Sequence, residues 1–218
     1  MRNIIYILAF IFILSSCRNE KKLNGTWISA YMYDTKEDKE VSGLGGFPFN
    51  KVTTYDNGVF LTKEFRFDTY ENERTGKFKL KGNKFILADN EDYLLEEIEV
   101  GNDSLIISNL NFYSRVYRKL NDSLKSKSTD FKFTGKKFIR NYRKWTDTIH
   151  FINDSVYVSS AWKNGDLDLM WERINHNGFD ILFTDIYVPF VIKSKVRNEI
   201  YVSTFGSIKE DYTLKEID

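Results

Sequence analysis

"NKFILAD" (residues 83–89) has a distant copy in "NGFDILF" (residues 177–183), which aligns Phe85 with Phe179 and Leu87 with Ile181, 94 positions later. The spacing recurs outward from this pair. "DSLIIS" (103–108) aligns with "NEIYVS" (198–203) and Tyr117 with Tyr212 at a spacing of 95, and "NGVFL" (57–61) with "DSVYV" (154–158) at 97. Near-constant spacing over such a length marks an internal duplication, which has to be found before any fold is assigned. Nearer the amino end the spacing grows to 110, where "LNGTWIS" (23–29) meets "FTGKKFI" (133–139). The first copy therefore carries an insertion within Asp34–Lys51, which holds "DTKEDKE" and the glycine-rich "GLGGFP". Between the copies, "NDSLKSKSTD" (121–130) has one apolar residue and reads as a polar linker.

Each copy breaks into short segments rich in Phe, Tyr, Val and Ile. In the first, strands are expected near 26–33, 51–56, 59–68, 75–81, 84–89, 93–100, 104–109 and 112–120. In the second they are expected near 136–143, 146–152, 155–162, 167–174, 178–185, 187–195, 199–205 and 210–217. Asn57-Gly58, Gly82-Asn83 and Asn177-Gly178 read as two-residue hairpin turns. Alternation supports strands: Phe65 and Phe67 interleave with Glu64, Arg66 and Asp68, and Phe78 and Leu80 with Lys77, Lys79 and Lys81. Eight antiparallel strands joined by short turns close into a barrel, which removes the exposed edges that invite aggregation. The expected fold is all-β, with two tandem small antiparallel eight-stranded barrels, the first over 23–120 and the second over 131–218.

The amino end reads as an address. Arg2 precedes eleven apolar residues, Ile4–Leu14, and Ser15 and Ser16 follow. That is the layout of a signal peptide, and the run is far short of the roughly 20 apolar residues that cross a bilayer. Leu14-Ser15-Ser16-Cys17 resembles a bacterial lipobox, in which the cysteine becomes the lipidated first residue of the mature chain. The resemblance implies cleavage of residues 1–17, lipid attachment at Cys17 and a membrane partner through that anchor, with an outer-membrane location in the cell envelope. Beyond Cys17 the chain has no thiol, as suits an exported protein that must hold together by its core.

"LNGTWIS", with Gly25 and Trp27 on the first strand, resembles the Gly-x-Trp opening of lipocalins and the lipocalin-like domains of bacterial lipoproteins. In that family the tryptophan closes one end of the barrel and an arginine of the last strand packs over it. Arg118 in "YSRVYRKL" is the matching position, with Arg115 second. The second copy departs from the motif because Lys137 stands where Trp27 aligns, so it reads as a degenerate relative.

Charge narrows the partners. Loss of residues 1–17 removes Arg2 from 32 basic residues and leaves 31 of each sign, so nucleic acid is not an expected partner. The chemistry-bearing inventory is thin. There are two histidines, His150 on a strand and His176 at a turn, and no nucleophile elbow accompanies Asp147 and His150. The acidic stretches "DNEDYLLEE" (89–97) and "NGDLDL" (164–169) match no calcium loop. No catalytic residues, metal or cofactor are expected.

Two readings of function remain. In the first, Trp27, Phe65, Phe67, Phe78 and Phe85 line a site for a small apolar or amphipathic ligand, as the barrel resemblance suggests. Filled interiors compete with it, because an eight-stranded barrel is only just wide enough for its own side chains or one small ligand. In the second, filled barrels support a protein-interaction module, an envelope inhibitor, immunity-type or assembly accessory protein. Its contact surface would be the glycine-rich loop at 43–49 and the basic, aromatic stretch of Lys132, Lys136, Lys137, Arg140, Arg143 and Lys144 around Trp145. The lipobox reading makes one direct prediction: Cys17→Ala moves the protein from the membrane fraction to the soluble fraction and abolishes incorporation of radiolabelled palmitate.

Overall fold

A computed structural model describes residues 20–34, 39–41, 50–65, 73–88, 94–108, 113–125, 130–142, 145–162 and 167–218. Cys17 with the rest of the leader, Phe67, the 43–49 loop, Arg143 and Lys144 lie outside the described residues. The first copy contains β1 (Gly25–Asp34), β2 (Lys39–Val41), β3 (Lys51–Asp56), β4 (Val59–Glu64), β5 (Glu73–Lys81), β6 (Lys84–Leu87), β7 (Leu94–Val100), β8 (Ser104–Ser108) and β9 (Tyr113–Lys119). The second contains β10 (Lys136–Tyr142), β11 (Trp145–Phe151), β12 (Val156–Ser159), β13 (Leu169–His176), β14 (Phe179–Thr184), β15 (Phe190–Val196), β16 (Glu199–Phe205) and β17 (Lys209–Ile217).

Both sets close into antiparallel eight-stranded barrels. In the first, β1 pairs along one edge with β9, from Trp27↔Lys119 to Asp34↔Tyr113, and along the other with β3. β3 covers only Gly25–Ile28; beyond it β2, from the insertion, takes over the same edge opposite Met32–Asp34. The second barrel closes through β10 and β17. The duplication holds strand for strand: the matched segments fall on β4 and β12, β6 and β14, β8 and β16, and β9 and β17.

The turns follow from residue chemistry. Asn57-Gly58 and Asn177-Gly178 have positive φ at both positions, +46° and +81°, and +52° and +84°. Such turns twist with the strands they join, and Asn and Gly are the residues that tolerate them. Alternation is visible in β5, where Phe78 and Leu80 are buried and Lys77, Lys79 and Lys81 are exposed.

Each barrel is plugged at one end. Residues 20–23 form a single helical turn that the alternation could not announce, and Trp27, fully buried, donates its ring N–H to the Leu23 carbonyl at 2.7 Å. In the second barrel Phe131 and Phe133 enter from the connecting segment. Phe133 packs on Phe151 at 4.7 Å between centroids and on Trp171, whose ring N–H reaches the Asn153 carbonyl at 3.0 Å. Trp171 thus occupies the closed end that Lys137 leaves without a tryptophan.

The barrels share a seam. Ile28, Val52 and Phe65 of the first pack with Ile174, Phe179, Ile181, Phe183, Val191 and Phe205 of the second, and Leu120 and Leu124 join them. The first half of the expected linker is therefore docked: Asn121 caps a short 3-10 turn, Asp122–Leu124, that carries Leu124 into the seam. β14 is buried on both faces because its outward side chains meet the other barrel. Along β3, Thr54 near the closed end meets His176 at 2.9 Å, and Asn50 at the other end donates to the Thr184 carbonyl at 2.5 Å. His176 adjoins the Asn177-Gly178 turn at the second barrel's closed end, so both closed ends face the same side.

Phe183→Ala is expected to cost about 3 kcal/mol in urea denaturation, through lost burial and an unfilled cavity in the seam. The half-exposed Val59→Ala, by contrast, should stay within about 0.5 kcal/mol of wild type.

Candidate functional site

The aromatic set assigned to ligand binding divides. Trp27, Phe78 and Phe85 come together inside the first barrel with Tyr55 and Tyr117. Phe78 stacks on Phe85 at 5.0 Å, and Tyr55 meets both edge-on. Phe65 is not with them; it faces outward in the seam, 6.4 Å from Phe183. Phe67 lies outside the described residues.

The cation over Trp27 is Lys119, not Arg118. Lys119 pairs directly with Trp27, holds its Nζ 5.2 Å from the ring and donates to the Lys22 carbonyl. Arg118 pairs with Ile28, so strand alternation turns it outward, where it lies 6.0 Å over Tyr31 and donates to the Ser207 carbonyl. Gly25, at φ +127°, lies against the Lys119 side chain: a Cβ there would stand 2.7 Å from Lys119 Cε. Arg115 shares the face of Lys119 and acts on the interior. Burial pushes the Tyr55 and Tyr117 phenols above the usual tyrosine range, and the Arg115 guanidinium opposes that shift.

The basic stretch before Trp145 is likewise split by alternation. Phe138 and Arg140 point into the second barrel, and Lys136 pairs with Glu216 at 2.6 Å. Lys137 is exposed on the outer face. Arg140 donates its Nε–H to Asp147 at 2.7 Å, and its guanidinium lies 4.0 Å from the Tyr187 ring centre. The Tyr187 hydroxyl donates to Asp147 at 2.5 Å and also meets Ser159 at 2.5 Å. All four residues are buried. The network pairs a buried guanidinium with a buried carboxylate, so each compensates the other away from the surface.

Asp147 and His150 do not cooperate. Three positions apart on β11, they face opposite sides of the barrel wall, and His150 pairs with Lys137 on the outer face. His176 stands beside the Asn177-Gly178 turn, as expected, and is buried in the seam. Among the described residues no cluster of three His, Cys, Asp or Glu could hold a metal ion.

Above the Arg140 network lies a rim. Trp145 opens β11 with 74% of its surface exposed, and Trp162, just past β12, is 43% exposed. β11 pairs with β12 at Ile149↔Ser159, and Ser160 donates to the Thr148 carbonyl, so the two indoles sit on neighbouring strand ends of one rim. Ile208, in the turn between β16 and β17, is exposed at the same end. Tyr142 and Tyr212 meet edge-on at 5.6 Å inside it.

A polar cleft of about 750 Å³ lies at the other end, between the first barrel's closed end, the linker and Asn177. Most of its polar groups serve the fold. Asn24 bonds Asn57, Asn121 caps Ser123, Lys125 pairs with Asp122, and Thr26 bonds both Thr54 and Asn177.

No known family model matches this chain, and no curated protein is similar to it. The rim and the network beneath it therefore have to be interpreted from their own chemistry.

The network sets a test of what Asp147 does. Asp147→Ala should destabilise by about 3–5 kcal/mol in urea titration, because Arg140 keeps its charge without a partner. Replacing both, Arg140→Met with Asp147→Leu, should restore stability to wild type or above, as removal of a buried pair together with its desolvation cost often does.

Proposed function

We propose that the chain is a non-enzymatic, lipid-anchored cell-envelope protein that presents the rim of its second barrel to a partner protein. The observation that carries this reading is the pair of exposed indoles, Trp145 and Trp162, above an interior already occupied by the chain's own side chains. A free monomer gains nothing from exposing two tryptophans on one rim, whereas tryptophans are enriched among the residues that dominate protein interfaces.

Ring contacts support the protein partner over a small apolar ligand. Inside the second barrel Phe133, Phe151, Tyr157, Tyr187 and Phe190 form a continuous series of aromatic contacts, 4.7 to 6.4 Å between successive centroids. In the first, Trp27, Tyr55, Phe78 and Phe85 are spent on one another and on the helical plug. Position supports it as well. Glu20 accepts from the Leu80 backbone N–H beside the Gly82-Asn83 turn, so the chain enters at the first barrel's closed end. An anchor at Cys17 holds that end towards the membrane and leaves the rims facing away.

A photo-crosslinking residue placed at Trp145 or Trp162 in cells is expected to give a discrete protein adduct. The same residue at Asn198, on a closed-end turn, should give none. Equal crosslinking from both ends, or adducts with lipid alone, would refute the rim as the contact surface.

A further inference from the structure

We infer that the seam between the barrels is an acid-sensitive latch: neutral His176 holds the second barrel to Thr54 of the first, and protonation of its ring weakens the docking. His176 ends β13 and is 1% exposed. Its Nε2 lies 2.9 Å from Thr54 Oγ1, Thr54 meets Thr26 Oγ1 at 2.8 Å, and Thr26 accepts from Asn177 Nδ2 at 3.1 Å. Two side chains of each barrel thus form one hydrogen-bonded chain across the seam. The other ring nitrogen, Nδ1, is buried with no hydrogen-bond partner among the described residues. A neutral ring tolerates that. An imidazolium must donate from both nitrogens, and here one donor would have no acceptor.

The charged groups that act on the ring come from the first barrel. Lys63 of β4 repels a charged imidazole, and Glu73 of β5, which pairs with Lys63 at 3.1 Å, partly offsets it. Glu172, on β13 itself, is drawn towards its charged form by Lys63, but burial outweighs this and raises its pKa above the usual glutamate value. Burial first, then Lys63, lowers the His176 pKa from 6.5 to about 4. Docked, the ring therefore binds its proton less readily than when the seam is open. Its stabilising contribution is complete above pH 6.5 and is lost as pH falls towards 4. Between pH 8 and pH 5 these values reduce the docking constant about 30-fold. Glu172 acts in the opposite sense, since its protonation favours the docked state, so the His176 contribution has to be read as a difference between proteins.

The test uses the full chain with Cys17→Ser and spin labels on cysteines introduced at the exposed Lys79 and Lys137, one on each barrel. The inter-label distance is followed through a urea titration at pH 8 and at pH 5. Wild type is expected to lose docking strength about 30-fold more than His176→Gln between the two pH values, because Glu172 titrates in both proteins. An equal pH dependence in the two would overturn the latch. Should His176→Gln fail to dock at pH 8, the wild-type ring decides. An NMR titration with His176 assigned against His150→Gln should place its midpoint near 4, and a midpoint near 6.5 would equally overturn the proposal.

Discussion

The seam is the constraint on which the rest of the molecule depends. A barrel wall ordinarily alternates, one face dry and the other wet, and β5 keeps that rule. β14 does not: Leu182 fills the second barrel while Ile181 and Phe183 fill the seam. Two-sided burial fixes the rotation of each barrel, since a turn about either axis would expose Phe179 and Phe183 or bury a charged face. The hydrogen bonds at the two ends of β3 then fix the sense, closed ends together and rims together.

Much of this was legible in the sequence. Strand boundaries follow the Asn-Gly and Gly-Asn turns and the alternation, because both are local chemistry. Facing was harder to read. Phe85 and Phe179 align in sequence and lie on corresponding strands, yet Phe85 packs within its barrel and Phe179 packs outside its own. The cause is one residue: the first turn is Gly82-Asn83 and the second is Asn177-Gly178, so the ring is second after one turn and first after the other. A shift of one reverses every side chain on a strand. The same parity separates Arg118 from Lys119 at Trp27, and Asp147 from His150. The seam itself left only a faint trace, the loss of alternation in "FDILF", since a strand buried on both faces by a neighbouring barrel looks like any apolar run.

The second barrel also contains charge that its sequence does not advertise as internal. Arg140 with Asp147 lies near the rim, and Arg173 with Asp180, joined by two hydrogen bonds of 2.8 and 2.6 Å, lies near the plug. Read linearly, Arg140 belongs to a basic patch. Folded, the strand sends Lys137 to solvent and Arg140 inside, and the patch is divided between the two faces. Such pairs contribute little net stability against apolar replacements, but each arginine accepts only a partner at the correct register. They penalise a slipped β10–β11 or β13–β14 pairing more than they stabilise the correct one. That suits strands whose apolar residues alone would tolerate several registers.

With interiors committed to rings and ion pairs, and one wall of each barrel committed to the seam, the exposed large aromatic surface among the described residues is that of Trp145 and Trp162. The closed ends carry plugs, and the cleft beside the first of them has most of its polar groups committed to the fold. Trp145 and Trp162 stand apart from all of this. Neither fills a barrel or braces the seam, and each exposes apolar area that a solitary protein would do better to replace with lysine or glutamate. Because the network beneath them is buried and charge-compensated, the proposed contact surface would rest on a wall that is already packed. An interface preorganised in this way loses less entropy on binding than one built on loops alone. The seam lies elsewhere on the second barrel, on β13 to β16, whereas the indoles stand at the ends of β11 and β12. A change in docking at His176 would therefore move the first barrel while leaving Trp145 and Trp162 in place.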